Sequence, residues 1–175
     1  PPKVTAISSL MLRGCAKLED LQLHDNVKSI SESGFQKCES LESFTLPPLV
    51  TTIPDKMLFQ CYSLKTLVLH DNVTSIGNQA FASCRSLMSF TLPPKVPSIP
   101  ANMLEGGYSL VDLKLHDRVF TIGNSAFSGC TSLTSFVLPP LVKEVPNNML
   151  SNCKSLENLT LHDDVTSIGS NAFEN

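Results

Sequence analysis

The sequence predicts an α/β solenoid: a stack of 23-residue coils with a parallel β-sheet along one face and short helical turns on the opposite one. Three observations carry that expectation. Apolar residues recur at a fixed step of 23 along all 175 residues. Two kinds of coil alternate, so a 46-residue double repeat overlies the single one. One stretch in each coil also alternates apolar and polar residues, the pattern of a strand with one buried face.

The step of 23 is read directly from columns. Leu18, Leu41, Leu64, Leu87, Leu110, Leu133 and Leu156 keep it without a slip. Three residues after each stands Leu21, Phe44, Leu67, Phe90, Leu113, Phe136 or Leu159, and two further on stands Leu23, Leu46, Leu69, Leu92, Leu115, Leu138 or Leu161. Each unit thus carries L-x-x-L/F-x-L, the core of a leucine-rich repeat, whose usual length includes about 23 residues. A valine column runs from Val4 through Val73 to Val165, and an isoleucine column from Ile7 through Ile76 to Ile168 with Val145 as its one exception. Cys15, Cys38, Cys61, Cys84, Cys130 and Cys153 share a further column, in which Gly107 fills the remaining place.

The elements of a coil follow in order. Leu64, Leu67 and Leu69 alternate with Lys65-Thr66, Val68 and His70, a short strand that stacks on its neighbours at about 4.8 Å per coil. His70-Asp71 in odd coils, or Pro47-Pro48 in even ones, ends the strand, since proline has no amide to donate. Val73 and Ile76 then point back inward across an extended return. Gly77-Asn78 or Pro54-Asp55 opens a short helical turn, with proline suited to its first position. That turn buries Ala80-Phe81 or Met57-Leu58, followed by the cysteine. The serine of C-x-S-L (Ser40, Ser63, Ser86, Ser132 and Ser155) is expected to bond backbone at the corner re-entering the strand. A single coil cannot bury its apolar side; only a neighbouring coil can.

Composition narrows the function. Hydrophobic residues make up 42% of the chain and charged ones 17%, with mean hydropathy +0.08, too rich in core material for a disordered segment. The 13 basic and 16 acidic residues are scattered and leave a net charge of -3, so no basic footprint for nucleic acid exists. No apolar run reaches the roughly 18 residues of a membrane span, and no signal peptide opens the chain. Residues 1–175 read as one array of about seven and a half coils. Pro1-Pro2 aligns with Pro47-Pro48 and Glu174-Asn175 stops where the next cysteine is due, so both ends fall mid-repeat and further repeats are expected beyond them.

The run Val73-Thr74-Ser75-Ile76-Gly77-Asn78-Gln79-Ala80-Phe81-Ala82-Ser83-Cys84-Arg85-Ser86-Leu87, with its returns at Val119 to Leu133 and Val165 to Phe173, resembles the unit of the BspA-like leucine-rich repeat family. The resemblance covers essentially the whole chain. It implies a curved solenoid, part of an extracellular or cell-surface protein of bacteria or some protists, in a family associated with adhesion to host proteins or other cells. It supplies no catalytic residues. Even coils depart from the common pattern, with P-x-x-M-L in place of G-x-x-A-F.

Several residue types invite chemistry and are better explained otherwise. His24, His70, His116 and His162 stand two coils apart, about 10 Å, whereas zinc holds nitrogen at about 2.0 to 2.1 Å. They read as turn residues, and Asp25, Asp71, Asp117 and Asp163 as partners of turn amides; a calcium ladder along these aspartates is interrupted by Pro48, Pro94 and Pro140. The serine and histidine columns lie at opposite ends of the strand and no nucleophile elbow occurs, so no enzyme is expected. Neither a metal nor a cofactor site is predicted. The six cysteines read as buried reduced hydrophobes, with a disulfide between stacked neighbours as the alternative. Asn72-Val73-Thr74 and Asn158-Leu159-Thr160 match glycosylation sequons weakly.

Candidate binding residues are those that break a column while facing solvent. Tyr62, Arg85 and Tyr108 occupy the corner column on consecutive coils, which places the guanidinium between two rings. Phe59 and Phe120 stand where other coils carry mostly polar residues, and Val68, Met88 and Val111 lie on the outer sheet face. Aromatic residues, Arg and Met are the types enriched in interface cores. The expected function is a noncatalytic module that binds a protein or glycan. The alternative is a structural spacer, which the recurring Ser43, Ser89 and Ser135 would suit.

Overall fold

The computed structural model describes residues 3–175, and Pro1-Pro2, read as the counterpart of Pro47-Pro48, lies outside the described residues. About seven coils stack as a solenoid, and the two predicted coil types alternate along it. Three-residue strands form one face: Ser43–Thr45, Thr66–Val68, Ser89–Thr91, Asp112–Lys114, Ser135–Val137 and Asn158–Thr160. They pair in parallel at the 23-residue step, with Phe44 opposite Leu67 and Phe90 opposite Leu113. Each strand buries its middle residue and exposes its two flanks in the even coils, the alternation expected of a one-sided sheet.

The return is more ordered than an extended connection. It holds a second set of parallel strands two residues long, from Ala6–Ile7 and Ser29–Ile30 to Glu144–Val145 and Ser167–Ile168. These pair in twos: Thr52–Ile53 with Ser75–Ile76, then Ser98–Ile99 with Thr121–Ile122. Proline sets the break between pairs. The Gly77 amide donates to the Ile53 carbonyl at 2.8 Å and the Gly123 amide to Ile99 at 2.8 Å. Pro54, Pro100 and Pro146 hold the same position in even coils and have no N–H to donate to Ile30, Ile76 or Ile122. The 46-residue period is therefore written into the hydrogen bonding.

Gly77 completes this arrangement sterically. A Cβ there would stand against the Asp55 amide and side chain and 2.7 Å from the Pro54 carbonyl carbon. A proline coil therefore needs a glycine coil stacked on it.

The short helical turns expected opposite the sheet are replaced by broken turns; no helix occurs among the described residues. The cause is a pair of left-handed residues in each coil. One column is Leu10, Ser33, Lys56, Gln79, Asn102, Ser125, Asn148 and Asn171; the other is Gly14, Lys37, Gln60, Ser83, Gly106, Gly129 and Asn152, all at positive φ. A right-handed helix cannot pass through such residues. Instead, alternate amides turn outward to the next coil: Ser33 donates to the Asp55 carbonyl at 3.0 Å, Phe35 to Met57 at 3.1 Å and Lys37 to Phe59 at 2.8 Å. Lys56, Leu58 and Gln60 repeat the set one coil later. The intervening amides close tight turns, as Gln36 does onto Ser33 and Cys38 onto Phe35. This face is a third ladder between coils.

The interior is one continuous apolar stack. Phe35, Leu58, Leu64, Val73, Phe81, Leu87, Met103 and Phe127 are fully or almost fully buried, as their columns require. Every second coil sets a turn phenylalanine against a strand phenylalanine: Phe35 with Phe44, Phe81 with Phe90 and Phe127 with Phe136, at ring separations of 5.2, 5.6 and 5.5 Å. These tilted contacts suit the ring quadrupoles.

Five of the six cysteines are buried and all six are free thiols. Cys15 departs from expectation and is exposed, because in the first coil it has a stacked neighbour on one side only. The buried Sγ atoms form a ladder of their own. Cys61 donates to the Phe35 carbonyl at 3.3 Å, Cys84 to Leu58 at 3.4 Å and Cys153 to Phe127 at 3.3 Å.

Candidate functional site

The corner where each coil re-enters the sheet is held by inter-coil hydrogen bonds. The amides of Ser40, Ser63 and Ser86 donate to the carbonyls of Ala16, Glu39 and Tyr62 at 3.1, 3.0 and 3.2 Å. The corner serine thus works here through its backbone. Among the described residues the hydroxyl makes the expected bond only at Ser132, donating to the Tyr108 carbonyl at 2.6 Å, alongside the Thr131 hydroxyl at 3.1 Å. Side chains at the preceding position consequently project from a pinned backbone at one coil per step.

On that frame the structure brings Tyr62, Arg85 and Tyr108 together. The guanidinium carbon of Arg85 lies 4.2 Å from the centre of the Tyr62 ring and 5.5 Å from that of Tyr108. Both distances fall within the range of cation–π attraction. Arg85 is exposed, Tyr62 is half-buried and Tyr108 keeps 46% of its surface in solvent. The ion pairs among the described residues are Lys65 with Glu42 and Lys114 with Asp112, both exposed, and Arg85 is part of neither. Beyond Tyr108 the surface falls into an open hollow of about 530 Å³, with Gly106 and Gly129 in its floor and Lys154 and Glu105 on its walls.

Of the other predicted residues, Met88 and Val111 lie beside the sandwich in sequence and the rest are dispersed. Met88 and Val111, three positions after Arg85 and Tyr108, are 58% and 51% exposed and stand immediately before the strands Ser89–Thr91 and Asp112–Lys114. Val68 is exposed too, but it ends its strand and so lies at the other edge of the sheet face. Phe59 is half-buried in the broken turn, where its carbonyl accepts the Lys37 amide. Phe120 is exposed on the return and lines a separate groove with Leu141, Lys143 and Ile168. Val137, 66% exposed, is the most open large apolar side chain and was not singled out by sequence. Its signal is nevertheless there: it stands in the outward strand column of Thr45, Thr91, Lys114 and Thr160.

The histidines are structural. Nε2 of His70, His116 and His162 meets the carbonyl of Pro47, Pro93 and Pro139 at 3.1, 3.1 and 3.2 Å. A carbonyl only accepts, so Nε2 carries the proton and each ring ties its coil to the preceding one. Nδ1 of His116 accepts the Arg118 amide at 3.3 Å, and that of His24 accepts the Asn26 amide at 3.1 Å. The five buried cysteines are poor nucleophiles. Burial pushes Cys38 and Cys153 up to about 11 and Cys84 up to about 12, and raises Cys61 and Cys130 as well.

Known proteins share this architecture. The model of the BspA type leucine rich repeat region matches in six copies over residues 1–73 and 51–175. The crystal structure of a leucine-rich repeat protein from T. pallidum is similar at 31% identity and TM-score 0.76, covering 82% of this chain and 67% of that one. A leucine-rich repeat protein from Eubacterium ventriosum is similar at 27% identity and TM-score 0.75, covering 87% of this chain but only 41% of its own length. The pneumococcal vaccine antigen PcpA shares the fold at 19% identity and TM-score 0.59, over 81% of this chain and 45% of its own. A search of curated protein sequences finds no match. Repeat length, column chemistry and the family match over the whole chain agree: this protein belongs to the BspA-type leucine-rich repeat family.

Proposed function

We propose that this chain is a noncatalytic binding module of a secreted or cell-surface protein, contacting a protein or glycan through its exposed sheet face and corner. The observation that carries the reading is the Tyr62–Arg85–Tyr108 sandwich, with open Met88 and Val111 beside it in sequence. Exposed aromatic, arginine and methionine side chains are what interface cores use. Stacked coils hold them in place before a ligand arrives, which lowers the ordering cost of binding. Buried thiols with raised pKa and histidines engaged with backbone carbonyls leave little with which to build a catalytic centre. Family membership supports an extracellular setting.

The reading is tested on an array of purified extracellular proteins and glycans, probed with the parent and with the double variant Tyr62→Ala/Tyr108→Ala. Binding of a defined ligand that weakens at least about tenfold in the variant supports it. Unchanged binding removes the patch from the interface. A parent that binds nothing on the array favours the spacer.

A further inference from the structure

We propose that Arg85, clamped between Tyr62 and Tyr108, is a receptor for a carboxylate on an acidic peptide segment of the partner. This rests on the reading of the chain as a binding module and names the ligand chemistry of that surface.

A guanidinium is planar and carries its N–H donors in the plane. With one ring centre 4.2 Å away on the preceding coil and another 5.5 Å away on the following one, the guanidinium stands between two rings while the side chain remains exposed. The rings also limit the conformations of a long side chain, so less freedom is lost when the fork is engaged. Among the described residues no carboxylate forms an ion pair with it. Glu105, which lines the hollow, is turned to its own coil, where Oε2 accepts from Asn102 Nδ2 at 2.9 Å. Glu39, in the corner column, stands two coils from Arg85, about 10 Å by the coil spacing. A guanidinium held between two rings, with no ion-pair partner among the described residues, can take a carboxylate with two parallel hydrogen bonds.

The surroundings select among carboxylate carriers. A neutral sugar stacks on free aromatic faces, but here each tyrosine commits one face to the guanidinium. Met88 and Val111 offer apolar contact that a polyuronate cannot use, whereas a peptide placing apolar residues between its acidic ones can. Lys154, on the far wall of the hollow beyond Tyr108, provides a second cation along the same line of coils.

The test is fluorescence anisotropy with a labelled peptide alternating Glu and Leu, its Gln-for-Glu twin, and polygalacturonate as competitor. The protein is taken as parent, Arg85→Lys and Tyr62→Leu/Tyr108→Leu. The expected result is binding of the Glu peptide at least about tenfold tighter than its twin, with about tenfold loss in Arg85→Lys, which keeps the charge but not the fork. Thermal melting of Arg85→Lys should match the parent, which separates recognition from stability. Equal affinity for the two peptides, or parent-like affinity in Arg85→Lys, overturns the proposal, as does preferential binding of the polysaccharide. An array ligand whose affinity ignores Arg85→Lys would leave the binding module standing and remove this inference alone; silence on both assays removes both.

Discussion

Lys37→Gly gives opposite signs for the two ways of drawing the outer face. In a short helix, glycine in place of lysine costs up to about 1 kcal/mol through its low helical propensity. In the structure Lys37 has φ of +62°, and its own column already holds Gly14, Gly106 and Gly129. An L-residue in the left-handed region carries a penalty of roughly 1–2 kcal/mol that glycine escapes. Against this stands the greater freedom glycine has in the unfolded chain, roughly 0.5–1 kcal/mol. The Lys37 amide still donates to Phe59 in the variant, and no ion pair of Lys37 is lost. The net expectation is stabilisation by about 0.5–1 kcal/mol. Urea unfolding followed by circular dichroism measures it, with Gln36→Gly as the control. Gln36 lies outside the left-handed region and is nearly buried, so that variant should lose about 1 kcal/mol. A Lys37→Gly variant as destabilised as its control would refute the left-handed turn and restore the helix.

Gly77→Ala should cost about 1–3 kcal/mol or more, since the new methyl meets the Pro54–Asp55 backbone; a urea midpoint equal to the parent's would contradict the proline–glycine complementarity. Phe81→Asp should disrupt the array locally and expose both adjoining coils, because the ring is fully buried against Phe90; circular dichroism and melting like the parent's would disprove the inward assignment. The cysteines give a pH dependence. The folded pKa values of the five buried ones lie above the ordinary 9.0, so their stabilisation is complete below pH 9 and is lost as pH rises from about 9 toward 12. Urea midpoints at neutral pH and at pH near 10.5 should show that loss, and Cys84→Ala should shrink it. In the folded protein iodoacetamide should label Cys15 first, and peptide mapping that finds Cys84 labelled equally fast would argue against the buried ladder.

The candidate site was legible to the extent that it depends on register. Tyr62, Arg85 and Tyr108 share a column on successive coils, and side chains one coil apart must stack. Val68, Phe59 and Phe120 were not legible as members of one surface, because a column break says that a residue differs but not which edge of the coil it occupies. Val137 was legible, since it shares the outward strand column of Val68, but it was not singled out. The hollow beyond Tyr108 depends on Gly106 and Gly129, whose column holds glycine three times and asparagine once, a hint of left-handed backbone that could have been taken.

The spacing of residues alone determined that coils stack, which columns face inward and how two coil types alternate, because burial is periodic and only a neighbour at the same phase can provide it. It could not decide how the outer turns are built. Pro54 followed by Met57-Leu58 suits a helical turn and a left-handed one equally, and the choice rests on amides that find their acceptors in the next coil. Those bonds exist only after stacking. The same holds for the proline-divided second sheet, the histidine clamps and the exposure of Cys15, each of which is set by what lies one coil away.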